Sequence, residues 1–166
     1  MAVDRSVMDS ETRLTDEDHL ALRVWLRLLA SANLIQTAVR SRLQNKFEIT
    51  LPRFDLMSQL DRSPNGLKMS ELSRRMMVTG GNVTGIADGL EEEGLIVRAV
   101  DPEDGRAFRV KLTREGRKAF ARMAQEHEQW IIQMFGDVST RDQKTLMELL
   151  GRLKQSVTSA NKAESS

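Results

Sequence analysis

Cysteine is absent from the 166 residues, which rules out disulfides, thiolate metal sites and thiol-based redox sensing. Two histidines, His19 and His127, are too few for a zinc site of their own, so no metal and no other cofactor is expected. No apolar run approaches the roughly 20 residues that a membrane span needs. The chain also has little charge of one sign: its formal net charge is +1 although 30% of its residues are charged. Composition therefore does not by itself call for a polyanionic partner. No glycine-rich phosphate loop follows a strand, and no Ser/His/Asp arrangement presents itself, so an enzyme is not expected. Residues 1–20 carry Asp4, Asp9, Glu11, Asp16, Glu17 and Asp18 against Arg5 and Arg13 and have no apolar core. That is not a secretory signal, and a cytoplasmic protein is the expectation.

What is present is unevenly placed. Residues 94–122 hold Arg98, Arg106, Arg109, Lys111, Arg114, Arg117, Lys118 and Arg122 against four acids, a local net charge of +4. Such a cluster is either a solvated surface or the footprint of a polyanion. Residues 1–16 read as a flexible acidic arm. From 17 to about 46 one long helix is expected: Leu22, Trp25, Leu29, Ala32, Ile35, Val39 and Leu43 recur at steps of three and four, behind Thr15 as N-cap and an acidic first turn. A short helix follows, starting near Pro52 with Phe54, Met57 and Leu60 on one face, and ends at Ser63-Pro64-Asn65-Gly66.

Between Met69 and Asp88, Leu72, Met76, Val78, Val83 and Ile86 fall where two short helices at a steep angle share a core. Ser70 is placed to cap the first and Thr79 the second. This is helix-turn-helix spacing, although an unrelated αα-hairpin shares it. Gly80, Gly81 and Gly85 fall early in the second helix, where each costs about 1 kcal/mol against alanine, as backbone in close approach to a sugar-phosphate strand would require. Asn82 and Thr84 are short polar groups suited to base edges or phosphate, and Lys68, Arg74 and Arg75 flank the helix as phosphate-binding candidates. Then "GLIVRAV" and "FRVKLT" alternate as two strands around the turn Asp101-Pro-Glu-Asp-Gly-Arg106. Asp104 is placed to hold the Arg106 guanidinium or to cap the turn, so that Arg106 is presented from the tip of a wing.

After the hairpin, Gly116, Phe120, Met123, His127, Trp130 and Met134 form a heptad-like seam that Gly136 to Thr140 interrupts. Leu146, Leu149, Leu150, Leu153 and Val157 then mark a last amphipathic helix, and 159–166 reads as a polar tail. Both ends carry more apolar seam than one small core can cover, so a homodimer is expected.

At this point the residues resemble the MarR family of winged helix-turn-helix regulators, over about residues 20 to 157. The most specific part is "GLEEEGLIVRAVDPEDGRAFRVKLTREG": Leu-Glu-x-x-Gly-Leu, then Arg98, Asp101, Asp104, Arg106, then Leu112-Thr113 and Gly116. The resemblance implies a mostly α fold with a small β-hairpin wing, in an intertwined helical homodimer. Dimerisation helices at 17–50 and 116–158 would flank a DNA-binding lobe at 51–115. It implies contact with a double-stranded, pseudo-palindromic DNA operator through Arg74, Thr79, Asn82, Thr84 and Arg106, with Asp104 orienting the wing; Lys68, Arg75 and Gly80 join the DNA-binding candidates on the reading of the residues alone. The Gly80-Gly81 pair departs from the bulkier or polar residues more usual there. It further implies a repressor released by a small organic anion, an aromatic acid or an aromatic acyl-CoA, between the dimer helices and the lobe. Trp25, Leu29, Asn33, Phe54, Met57 and His127 would line that cleft unless they are plain core. Arg23, Arg27, Arg40 and Arg42 on the first helix leave room for the larger anion. The competing reading is an architectural, non-specific DNA-binding protein with no ligand.

Overall fold

The computed structural model describes residues 19–76 and 82–164. Its elements in chain order are α1 (Leu20–Phe47), α2 (Leu51–Asp61), β1 (Leu67–Lys68), α3 (Met69–Arg75), α4 (Val83–Glu92), β2 (Ile96–Val100), β3 (Phe108–Leu112), α5 (Arg114–Met134) and α6 (Thr140–Glu164). The fold is mostly helical with one small antiparallel sheet. The chain divides into two compact units, one ending at Glu128 and one starting at Gln129, each described here by itself.

In the first unit α2 is the centre of the core. Phe54, Met57 and Leu60 are all buried, as their spacing predicts, and so is Leu56 on the next face, because α2 is covered nearly all round. Pro52 sits in its first turn, where the missing N–H costs nothing. Val39 and Leu43 from the end of α1, Leu72 of α3, Leu90 of α4, and Ile96 and Val110 of the sheet complete this core. The earlier part of the α1 seam behaves differently: Leu22, Trp25 and Leu29 are exposed. The Thr15 cap and acidic first turn expected for α1 lie outside the described residues.

The sheet has a strand that hydrophobic alternation did not reveal. β1 is only two residues long, and it pairs Leu67 with Val110 and Lys68 with Arg109 to give the order β1-β3-β2. The hairpin itself follows the expected register, from Ile96 opposite Leu112 out to Val100 opposite Phe108.

Two caps differ from expectation. Lys68, not Ser70, precedes α3, and its backbone N–H donates to the Glu71 carboxylate (3.0 Å), holding the Glu71 pKa below its ordinary value. α4 starts at Val83 with Asn82 as its N-cap, and Gly80 and Gly81, expected early in this helix, lie outside the described residues. The Asn82 Oδ1 accepts from the Gly85 N–H at 3.2 Å, and a Cβ on residue 85 would crowd the Asn82 amide. Gly85 is thus explained within the chain by the cap that folds over it.

The two glycines of the "LEEEGL…TREG" signature are structural. Gly94 takes φ +72° just past α4, where Leu95 N–H reaches back to Leu90 O (2.9 Å) and closes the helix end. At Gly116 a Cβ would stand 1.8 Å from Leu95 O, so only glycine lets the first turn of α5 lie on that backbone. Thr113 fixes the junction: its hydroxyl donates to Gly94 O (2.7 Å) and accepts from Gly116 N–H (2.9 Å).

In the α5 seam, Gly116, Phe120, Met123 and Trp130 are buried and His127 and Met134 are half-buried. Ser139 starts α6, accepting from Asp142 N–H (3.1 Å) and donating to the Asp142 carboxylate (2.7 Å). That helix runs on to Glu164, through most of the segment expected as a polar tail. No glycine or proline after Gly151 ends it, and polarity alone does not stop a helix.

Candidate nucleic-acid interface

The wing is held rigid from its base. Asp101, only 1% exposed, is the anchor. One carboxylate oxygen accepts from the Glu103 N–H (2.9 Å), and the other accepts from Arg109 Nε (3.0 Å) and lies 3.5 Å from Lys68 Nζ. The Glu103 amide, and then the Arg109 and Lys68 charges, hold its pKa below the ordinary carboxylate value. Arg109 also donates to Gly66 O (3.3 Å), so β1, β3 and the turn share one polar knot.

Above that knot, Asp101 N–H donates to Ala107 O (2.8 Å) and Ala107 N–H to Asp104 O (2.9 Å). The Asp104 carboxylate accepts from the backbone N–H of Arg106 (3.1 Å). Of the two roles open to Asp104, capping the turn is the one observed. The Arg106 side chain is left exposed at the tip, with no hydrogen bond or ion pair among the described residues.

Arg98 ties the wing to α4. Its guanidinium donates to the carboxylates of Glu91 and of Asp88 (2.5 Å to Asp88), and its backbone N–H donates to Glu91 (3.0 Å). At the same end Glu93 stands 2.6 Å from Arg53 Nη2. The two form an ion pair, and among the described residues Arg53 Nε has no hydrogen-bond partner.

The remaining interface candidates fall as follows. Asn82 and Thr84 are both exposed at the N-terminal end of α4, and Arg74 is exposed in the last turn of α3. Arg75 donates to Ser63 Oγ (3.2 Å), and Lys68 is drawn to Asp101, so both have a role inside the lobe. Thr79 and Gly80 lie outside the described residues. Sequence reasoning passed over Asp101 and Arg109 as a cross-hairpin pair. Their signal was an acid and a base bracketing the turn on the same strand face.

The candidate effector residues separate into two groups. Phe54 and His127 come together in the first unit, their ring centroids 5.0 Å apart, with Phe120 5.4 Å from Phe54, and Met57 is buried one turn further along α2. Burial lowers the His127 pKa below its ordinary value. Trp25, Leu29 and Asn33 lie on the exposed stretch of α1. A cleft of ≈ 670 Å³ opens elsewhere, lined by Arg40, Ser41, Gln44 and Asn45 of α1, Thr50, Leu51 and Pro52 around the start of α2, and Ile86 of α4. Among the described residues no group of acids and histidines is arranged to hold a metal ion. No described helix is long and apolar enough to cross a membrane.

This geometry has known counterparts. The MarR family model matches residues 49–108, from the start of α2 into the wing. An HTH-type transcriptional regulator of Bacillus cereus is 30% identical over 131 residues, covering 78% of this chain and 86% of that protein. The chain belongs to the MarR family. A MarR family transcriptional regulator from Silicibacter pomeroyi has a crystal structure that matches with a TM-score of 0.75 at 28% identity. The match covers 87% of this chain and 99% of that one. A MarR family regulator from Streptomyces coelicolor, solved in complex with DNA, matches with a TM-score of 0.71 at 27% identity, over 86% of this chain and 89% of that one. As a MarR protein the chain is a DNA-binding transcriptional regulator with a winged-helix lobe, not an enzyme.

Proposed function

We propose that this MarR protein is a homodimeric repressor in the cytoplasm. It would recognise a pseudo-palindromic operator and be released from it by a small organic anion, an aromatic acid or its CoA thioester. The observation that carries the reading is the unpaired Arg106 at the tip of a wing locked by Asp101 and Asp104, beside the exposed start of α4. With α4 in the major groove, the arginine reaches the neighbouring minor groove or its phosphates. Thr84, Arg74, Arg75, Lys68, Thr79 and Gly80 supply further contacts to one DNA half-site. Asn82 serves both as cap and, through its amide N–H₂, as a donor to DNA. The regulator from S. coelicolor solved with DNA supports this reading by likeness.

The effector would lie between the dimer helices and the lobe, with Phe54, Met57 and His127 as one candidate wall and the exposed Trp25, Leu29 and Asn33, a separate group in the single chain, as the other. His127, whose pKa burial lowers, offers an imidazole that can donate to or accept from an acid. Release asks for little energy. A ligand that prefers a lobe spacing unlike the roughly 34 Å between successive major grooves by a hundredfold supplies about 2.7 kcal/mol of coupling.

The test is a mobility-shift titration on the upstream region of the protein's own gene with scrambled competitor DNA, repeated with aromatic acids and their CoA thioesters. Competitor-resistant binding lost on adding one compound is the expected result. Binding that the scrambled DNA abolishes overturns sequence recognition and assigns the protein to architectural DNA binding instead. Arg106→Ala should weaken binding and lower the salt slope by about one. Asn82→Ser keeps an N-cap acceptor and removes the amide donor, so a changed operator preference would reflect base reading.

A further inference from the structure

The inner face of the wing does not end where the core ends. Residues paired across β2 and β3 point to the same side, so Ile96–Leu112, Arg98–Val110 and Val100–Phe108 form three rungs of one face. The first rung is buried. In the second, Val110 is buried and Arg98 is held by Asp88 and Glu91. The third rung overhangs: Val100 is 57% and Phe108 53% exposed, immediately before and after the turn that presents Arg106. A threonine pair would hold the same strands together as well, yet an aromatic ring and a branched aliphatic face the solvent beside an unpaired guanidinium.

We infer that Val100 and Phe108 form an apolar contact surface for the deoxyribose walls of the DNA minor groove, beside the site where Arg106 meets the phosphates. This rests on the reading that the wing reaches DNA. Two features select that occupant. The patch is only two side chains wide, far short of the 1,000 Å² or so that a stable protein interface buries, so neither a second copy nor a partner protein fits it. Its flank is cationic, whereas its own surface is hydrocarbon. The minor groove offers the complement: C–H edges of sugars between two rows of phosphates, in a groove about 6 Å wide that a single wing rung can enter. Apolar side chains in that groove act as wedges and favour steps that unstack easily.

The experiment compares full-length Phe108→Thr, Phe108→Leu and Arg106→Ala by operator binding at several salt concentrations, with sedimentation and thermal melting of each. Phe108→Thr is expected to weaken binding about tenfold, the worth of partly desolvating one such side chain. The loss should be the same factor at low and high salt, because no counter-ion is involved. Phe108→Leu should bind nearly as the parent does, and none of the three should change the oligomeric state. If Phe108→Thr melts early, Val100→Thr, which leaves the ring in place, should show the same salt-independent loss. Full affinity in Phe108→Thr with reduced affinity in Arg106→Ala overturns the apolar contact and leaves the wing on DNA. Full affinity in both overturns the two together. A changed sedimentation coefficient in Phe108→Thr assigns the patch to contact between copies and overturns the inference.

Discussion

The winged lobe and α6 bury apolar residues in opposite ways. In the lobe the seams close on themselves: Leu56, Met57, Leu72, Leu90 and Val110 lose all exposure, and the pairs of Arg98 with Asp88 and Glu91 brace the sheet to α4. Along α6 every residue from Thr140 to Ala163 is exposed, although Leu146, Leu149, Leu150, Leu153 and Val157 keep strict helical spacing. A 25-residue amphipathic helix draws most of its stability from packing its apolar face. The lobe thus covers its own seams, whereas the seam of α6 is left uncovered in the single chain. The difference teaches that domain completeness is legible from whether a seam finds its cover, not from how regular the seam is.

The largest effect should come from breaking α6. Leu150→Glu together with Leu153→Glu should convert a dimer to monomers in sedimentation. Operator affinity should fall by about a hundredfold through loss of bivalent binding, while the lobe keeps its helical signal. If the double variant stays dimeric, α6 is not the joining surface.

Next is Gly116→Ala, at the junction of the lobe with α5. Intrinsic propensity favours alanine by about 1 kcal/mol. The 1.8 Å approach of a Cβ to Leu95 O should reverse that sign and cost about 3 kcal/mol in denaturant unfolding. A stabilised protein would mean the junction relaxes without loss. Asp101→Asn should act on the wing more than on the fold. With its charge attraction to Arg109 and Lys68 gone, DNA affinity should fall by about tenfold, with a smaller drop in melting temperature. A melting loss with unchanged DNA binding would make Asp101 a matter of stability alone.

The smallest effect is a pH dependence. His127 has its pKa lowered by burial, so the unfolded chain takes up a proton near pH 6.5 that the folded chain resists. Its contribution to stability is therefore complete above about pH 6.5 and is lost as the pH falls through the lower folded value. The melting temperature should decline over that window, and His127→Gln should flatten the decline.

Much of the lobe was readable in advance because its signals are local. Proline opens α2, Gly66 closes the turn after it, and alternation with a Pro/Gly turn marks the hairpin to within a residue or two. The "LEEEGL…TREG" pattern can be read directly as a helix stop and a close backbone approach. What stayed hidden depended on residues distant in sequence. β1 has two residues and exists only because β3 offers Val110 and Arg109 as partners. Asn82 caps α4 because Gly85 leaves room for its side chain. The polar knot joins Gly66, Lys68, Asp101 and Arg109 across as many as 43 positions of chain.

By itself, then, the sequence determined the kinds of elements, their order and the family, because periodicity, capping and turn chemistry act over a few residues. Only the tertiary structure decided which acid anchors the wing, which of its two roles Asp104 takes, and which apolar rung the core leaves bare. Each of those depends on the final distance between groups that the chain brings together last.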